Sequence, residues 1–238
     1  MQAIVLAGGR GTRLAPYTTV FPKPLMPLGE MPIIEIVLRR LARSGFREVT
    51  LSVGYLAELL MAYCGDGARF GVNLRYSRED QPLGTAGPLA LVGPLQETFL
   101  VMNGDLLTDL DFPAMLQRHR SSGAIATLAS FTREVKIDFG VLDIDHQQQV
   151  TNYTEKPRFT YQVSTGIYFF EPRVLERIIP GKRMDLPDLV LELLAAGETV
   201  ACHPHAGEWL DIGRVDDYQR AIVEFERDRA RYLSEEVP

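Results

Sequence analysis

Three glycines, two cations and a run of prolines open the chain, in the segment LAGGRGTRLAPYTTVFPKPLMPLGEMP at residues 6–32. Gly8, Gly9 and Gly11 carry no Cβ, so backbone N–H groups there can approach a ligand closely. Arg13 and Lys23 add two positive charges beside those amides. Backbone donors with paired cations suit a polyphosphate. The spacing is not that of a Walker loop, because no Gly-Lys-Ser/Thr follows, nor that of the dinucleotide fingerprint, because Leu14 stands where the third glycine belongs. The glycines alone would fit a tight strand-to-loop turn equally well.

The elements that must position these groups are legible in outline. Ala3–Ala7 is a continuous apolar run ending in glycine, as in a strand buried on both faces. The prolines forbid a helix until Pro32, which suits a first helical turn. Ile33, Ile34, Val37, Leu38 and Leu41 then recur at helical spacing up to Gly45. Strands are expected at Val49–Val53 and Val72–Tyr76, with a helix at Ala57–Tyr63 between them. This β-α-β-α-β order favours a mostly parallel sheet covered on both faces. A second glycine-bearing loop, Glu79–Pro88, leads into an expected helix at Leu89–Leu95. The strand Phe99–Met102 ends at Asn103-Gly104-Asp105, where open α/β sheets place ligands. A helix at Phe112–Arg120 and a strand at Ile125–Ser130 follow. From Gly140 the pattern becomes strand-like without crossovers (Val141–Ile144, Val150–Glu155, Val163–Phe170), which predicts a mixed extension of the sheet. Helices at Val174–Ile179 and Leu186–Ala195, strands at Val200–His203 and Trp209–Ile212, and an amphipathic helix over Val215–Leu233 complete the reading.

Composition bounds the function. At 238 residues, 46% hydrophobic and 24% charged, the chain has the make-up of a globular protein able to bury a full core. A net charge of −6 speaks against a nucleic-acid partner. Cys64 and Cys202 form no Cys-x-x-Cys pattern and read as two reduced, half-buried thiols. Ala3–Ala7 is too short for a signal-peptide core and no run reaches membrane-spanning length, so a cytoplasmic protein without a membrane partner is expected. Cys202-His203-Pro204-His205 has two histidines on one strand face, but no second cluster completes a zinc site.

The opening segment resembles the N-terminal motif of the sugar-phosphate nucleotidylyltransferases, Leu-Ala-Gly-Gly-x-Gly-Thr-Arg-Leu followed by Pro-Lys-Pro-Leu-x-Pro. The resemblance continues through Asn103-Gly104-Asp105, Glu155-Lys156-Pro157, Ser164-Thr165-Gly166-Ile167-Tyr168 and Trp209-Leu210-Asp211-Ile212-Gly213. Residues 78–91 look like the corresponding loop of GDP-mannose pyrophosphorylases. The resemblance implies a three-layer α/β/α, Rossmann-like nucleotidyltransferase fold in one domain over residues 1–238. Its nucleotide-binding part would span about 1–110, its sugar-phosphate part about 111–213 and its C-terminal helix 214–234.

It also implies a reaction: an NTP and a sugar 1-phosphate give an NDP-sugar and pyrophosphate, with GTP and mannose 1-phosphate the first choice. Rival pairs within the family are heptose phosphate with GTP, glucose 1-phosphate with dTTP or UTP, and N-acetylmuramate phosphate with UTP. A nucleotide-sugar-binding regulatory subunit is the rival from another class. The implied catalytic residues are Arg13, Lys23 and Lys156. Leu6, Ala7, Gly8, Gly9, Gly11, Thr12, Glu79, Gly84, Thr85 and Asn103 would join Arg13 and Lys23 around the nucleotide. Gly140, Glu155, Lys156 and Thr165 would hold the sugar phosphate, and Asp105 and Asp211 would share Mg²⁺. For the base, a carboxylate matches the adjacent N1–H and N2–H₂ donors of guanine, and Glu79 is preferred over Asp80 and Gln81. The terminal helix is expected to pack on the core, and a homo-oligomer remains open.

Overall fold

Alternation along the strands sets the layers. In the first strand, Ala3, Val5 and Ala7 enter one apolar cluster while Ile4 and Leu6 face another. The computed structural model, which describes residues 1–233, shows thirteen strands and six α-helices among them. They run β1 (Gln2–Ala7), a short hairpin of β2 (Pro27–Leu28) and β3 (Met31–Pro32), α1 (Ile33–Arg43), β4 (Glu48–Val53), α2 (Ala57–Cys64), β5 (Asn73–Arg78), β6 (Phe99–Asn103) and β7 (Leu106–Thr108). Then follow α3 (Phe112–Ser122), β8 (Ala126–Lys136), β9 (Val141–Ile144), β10 (Val150–Thr154), β11 (Arg158–Phe170), α4 (Leu186–Ala195), β12 (Val200–His205), β13 (Trp209–Asp211), α5 (Val215–Arg227) and α6 (Arg229–Tyr232).

Seven strands form the central sheet in the order β12-β8-β11-β6-β1-β4-β5. Only β11 runs antiparallel to its neighbours, so the sheet is mostly parallel and mixed at one position. One face is covered by α1, α2, α3, α5 and α6, the other by α4 and 3₁₀ turns; this is the expected three-layer α/β/α fold. On the first face Phe46 packs edge-on to Phe112 and stacked on Phe169, with centroids 6.1 and 6.3 Å apart.

Several expected elements differ. Leu89–Leu95 is no α-helix: a 3₁₀ turn at Gly87–Leu91 ends before Gly93 (φ +84°) and Pro94. Val174–Ile179 is likewise a 3₁₀ turn, at Pro172–Arg177. The strands β8 and β11 run further than their apolar cores, pairing out to Lys136 and Arg158, and with the β9–β10 hairpin they make an arm. Polar residues there hid the strands from an apolar-run reading. The amphipathic tail breaks at Asp228, whose side chain accepts the Arg231 N–H and restarts the chain as α6. Its Phe225 and Tyr232 are fully buried, so the tail packs on the core; residue 234, the expected end of that helix, lies outside the described residues. Cys64 is buried, which pushes its thiol up to about 11, while Cys202 is exposed rather than half-buried. No described helix is long and apolar enough to cross a membrane.

Removing the central ring of the aromatic trio tests this packing. Phe46→Ala is expected to lower the unfolding free energy by about 3–5 kcal/mol in a denaturant titration. A loss under about 1 kcal/mol would mean the trio carries little of the core.

Candidate active site

The parallel register brings the chemistry-bearing loops to one end of the sheet. Leu6 on β1 lies opposite Asn103 on β6 and Ser52 on β4, so the segments following these three strands share one edge. The Gly104 N–H donates to the Leu6 carbonyl at 2.9 Å, and a Cβ at Gly104 would come within 3.0 Å of that oxygen. Gly11 adopts φ +61°, which glycine alone takes without strain, and its carbonyl accepts the Thr18 hydroxyl at 2.7 Å. The turn that follows, Thr12–Leu14, carries Arg13.

Lys23 is held between Pro22 and Pro24 in a 3₁₀ turn and is 7% exposed. Its ammonium pairs with Asp105 Oδ2 and lies 4.0 Å from Asp211 Oδ1. Asp211 reaches this point by a route not visible in the sequence. It sits on β13, which pairs antiparallel with β7, so Asp211 is opposite Leu106 and the Ile212 N–H donates to the Asp105 carbonyl at 3.2 Å. Burial, then the neighbouring Asp105, push the Asp211 carboxyl up, against the opposing pull of Lys23 and Arg13. Asp105 Oδ1 is buried and accepts no hydrogen bond among the described residues. Two carboxylates, one with an orphaned oxygen and one disfavoured as an anion, fit a hard divalent cation, which needs only one or two carboxylates when phosphates complete its shell.

A cavity of about 550 Å³ runs from Lys23 and Asp105 to the Glu79 loop. Its wall contains all twelve residues expected around the nucleotide: Leu6, Ala7, Gly8, Gly9, Gly11, Thr12, Arg13, Lys23, Glu79, Gly84, Thr85 and Asn103. Glu79 Oε2 accepts the Leu83 N–H at 3.0 Å. Its Oε1 would lie 2.6 Å from a Cβ on Gly8 and 2.9 Å from one on Gly54, so both glycines make room for the carboxylate.

The expected sugar-phosphate residues are placed elsewhere. Gly140, Glu155 and Lys156 gather on the arm around Tyr153, whose hydroxyl donates to Glu155 Oε2 at 2.8 Å. A Cβ at Gly140 would fall 2.2 Å from that phenol oxygen. Lys156, at φ +46°, pairs with Glu155 at 3.7 Å, and both side chains are more than half exposed. None of the three lines the 550 Å³ cavity. Thr165 is buried and its hydroxyl donates to the Ala129 carbonyl at 3.0 Å.

The sequence reading missed Ser52, Gly54, Arg183 and Asp185. Asp185 Oδ1 accepts the Thr85 N–H at 3.1 Å, and the Thr85 hydroxyl accepts the Leu186 N–H at 2.7 Å. Ala86 and Gly87 donate to the Met184 carbonyl at 2.9 and 3.0 Å. A Cβ at Gly84, φ +81°, would lie 2.4 Å from that carbonyl oxygen. Gly54 closes a strand just as Gly8 does, a signal present in the sequence. The Asp185–Asp188 capping box marks a helix start, but nothing local says which loop it will hold.

The chain matches the family described as Nucleotidyl transferase over residues 2–228. It is 37% identical to a UTP–glucose-1-phosphate uridylyltransferase of Synechocystis sp., over 93% of this chain and 62% of that protein. It is 35% identical to a mannose-1-phosphate guanylyltransferase of Mycobacterium tuberculosis, over 95% of this chain and 65% of that protein. The chain thus spans less than two thirds of the length of these relatives. A candidate glucose-1-phosphate thymidylyltransferase from Bacillus anthracis, solved with sucrose, superposes with a TM-score of 0.75 at 26% identity, covering 94% of each chain.

An acid raised by burial and a like charge costs stability once ionised. Its stabilising contribution is present below the ordinary carboxylate range and is lost as pH rises through the raised value. Asp211→Asn is therefore expected to raise the thermal midpoint of the chelator-treated protein at pH 7, with the gain shrinking as pH falls. A lower midpoint at pH 7 would show that the Asp211 charge supports the fold instead.

Proposed function

The chain belongs to the nucleotidyl transferase family, and we propose that it joins an NTP to a sugar 1-phosphate, giving an NDP-sugar and pyrophosphate. The observation that carries this is the cavity in which the glycine loop, Arg13, Lys23 and Asp105 meet, with Asp211 4.0 Å from the Lys23 ammonium. In-line displacement at phosphorus needs no protein nucleophile; it needs alignment and neutralised charge. The amides of Gly8, Gly9 and Gly11 with Arg13 hold the β and γ phosphates as the departing group. Lys23, fixed by its prolines and its carboxylate partner, stands beside the α-phosphate. Asp105 and Asp211 hold a divalent cation, taken as Mg²⁺, which when bound offsets phosphate charge. Lys156 and Glu155 on the arm meet the sugar phosphate.

For the substrates, GTP and mannose 1-phosphate are the first choice. The Glu79 carboxylate supports it, since guanine offers two adjacent donors and only one Glu79 oxygen is engaged, by the Leu83 N–H. The relationship at 37% identity to a uridylyltransferase acting on glucose 1-phosphate favours UTP and glucose 1-phosphate as the second reading.

Pyrophosphate release from a panel of NTPs and sugar 1-phosphates tests the class and names the pair. Arg13→Ala is expected to cut kcat/KM by about 10²-fold or more. Metal-dependent release by no pair, with NDP-sugar still bound, would assign the chain to a binding role. Glu79→Gln is expected to lower the GTP-to-UTP preference by about tenfold or more; an unchanged ratio would remove Glu79 as the base reader.

A further inference from the structure

A second cavity, of about 570 Å³, opens on the far side of Arg13 and Asp211. It is walled by Arg13, Arg133, Arg214 and Arg220, with Phe131 and Trp209 beside them. Several surface arginines elsewhere are paired, as in Arg78–Glu58, Arg158–Glu134 and Arg173–Glu198. Arg133, Arg214 and Arg220 have no ion-pair partner among the described residues. The acids at this cavity do not answer them. Glu134 is engaged with Arg158 at 2.6 Å, and Asp211 shares Lys23 with Asp105, which leaves Asp217 against four guanidinium groups. In a chain of net charge −6 such a concentration of unanswered cations calls for an anionic ligand.

The position says which ligand. Phe131 and Arg133 lie on β8 where it enters the arm, pairing with Val163 and Tyr161 of β11. The arm also carries Glu155 and Lys156. The cavity therefore lies between the arm and the metal-holding carboxylates, on the acceptor side. Phe131 and Trp209 stand 5.6 Å apart by ring centroid, and the Trp209 indole is fixed by donating to the Thr165 carbonyl at 2.9 Å. An aromatic wall offers a surface to a sugar ring, whereas pyrophosphate has no apolar face to set against it.

We propose that this cavity receives an acceptor sugar bearing a second acidic group, a carboxylate or a second phosphate, besides the phosphate that reacts. Arg133, Arg214 and Arg220 bind that distal acid. The inference rests on the sugar-phosphate reading above and narrows its substrate class. A neutral hexose 1-phosphate would engage Lys156 on the arm but leave Arg133, Arg214 and Arg220 unanswered.

Calorimetry separates this from the parent reading because it needs no turnover. Hexose 1-phosphate, hexuronic acid 1-phosphate and hexose 1,6-bisphosphate are titrated into the full chain, and pyrophosphate release is measured alongside. At least one doubly acidic sugar is expected to bind about tenfold tighter than the hexose monophosphate, the worth of one charge-assisted hydrogen bond. Which of the two does so identifies the acid as carboxylate or phosphate. Arg133→Gln and Arg220→Gln are expected to erase most of that preference, and the distant Arg177→Gln to keep it. Equal binding of all three sugars overturns the proposal, as does a preference that survives both replacements. If the two variants instead weaken only inorganic pyrophosphate, the cavity serves the leaving group and the proposal falls. Tight binding of the acidic sugar without pyrophosphate release for any NTP would fail the transferase reading while leaving the site in place.

Discussion

The site turns on Lys23 between two carboxylates. Asp105 and Asp211 repel each other, and Asp211 is partly removed from water, so their approach requires a fixed positive charge. A lysine on a mobile loop could not supply it reliably. Here Pro22 and Pro24 restrict the turn, and the side chain is almost wholly buried. The β7–β13 ribbon supplies the other half of the constraint by placing Asp211 across from Leu106. Behind the ribbon, Asp109 accepts the Glu208 N–H at 2.7 Å and pairs with His205 at 3.0 Å and Arg231 at 2.6 Å. This buttress links the strand that carries Asp211 to β12 and to α6, so the C-terminal helices take part in fixing the site.

The same economy governs the other end of the cavity. Gly8 and Gly54 close neighbouring strands and together leave space for one carboxylate, that of Glu79. Glu79 is in turn held by the loop it begins, through the Leu83 N–H, and the loop is pinned from outside by Met184 and Asp185 at the start of α4. Arg183, on the same turn, pairs with Asp185 at 3.0 Å and borders the cavity. The Glu79 loop and the glycine loop with Lys23 therefore border one cleft, each stiffened by segments from the second half of the chain. This is the arrangement that positioning catalysis needs, because small displacements of the reacting groups cost rate steeply.

What the sequence by itself determined was local. The apolar run Ala3–Ala7 with its glycines, the helical spacing from Ile33 to Leu41, and the short apolar strands marked the central layers, because periodicity and special backbone geometry are properties of adjacent residues. The motif order marked twelve residues expected around a nucleotide, and all twelve line one cavity. The reading fell short in the β8–β11 arm, where polar residues replaced the apolar run, and in the 3₁₀ turns at Gly87–Leu91 and Pro172–Arg177. Tertiary structure alone decided the rest. Asp211 meets Asp105 through a strand pairing across more than a hundred residues, and Asp185 finds Thr85 across a hundred, through a loop clamp. It also set Arg133 of the arm beside Arg220 of α5 and Arg214 just before that helix. No local signal encodes such meetings. They follow from the strand order of the sheet, which is chosen by burial of the whole core rather than by any one segment.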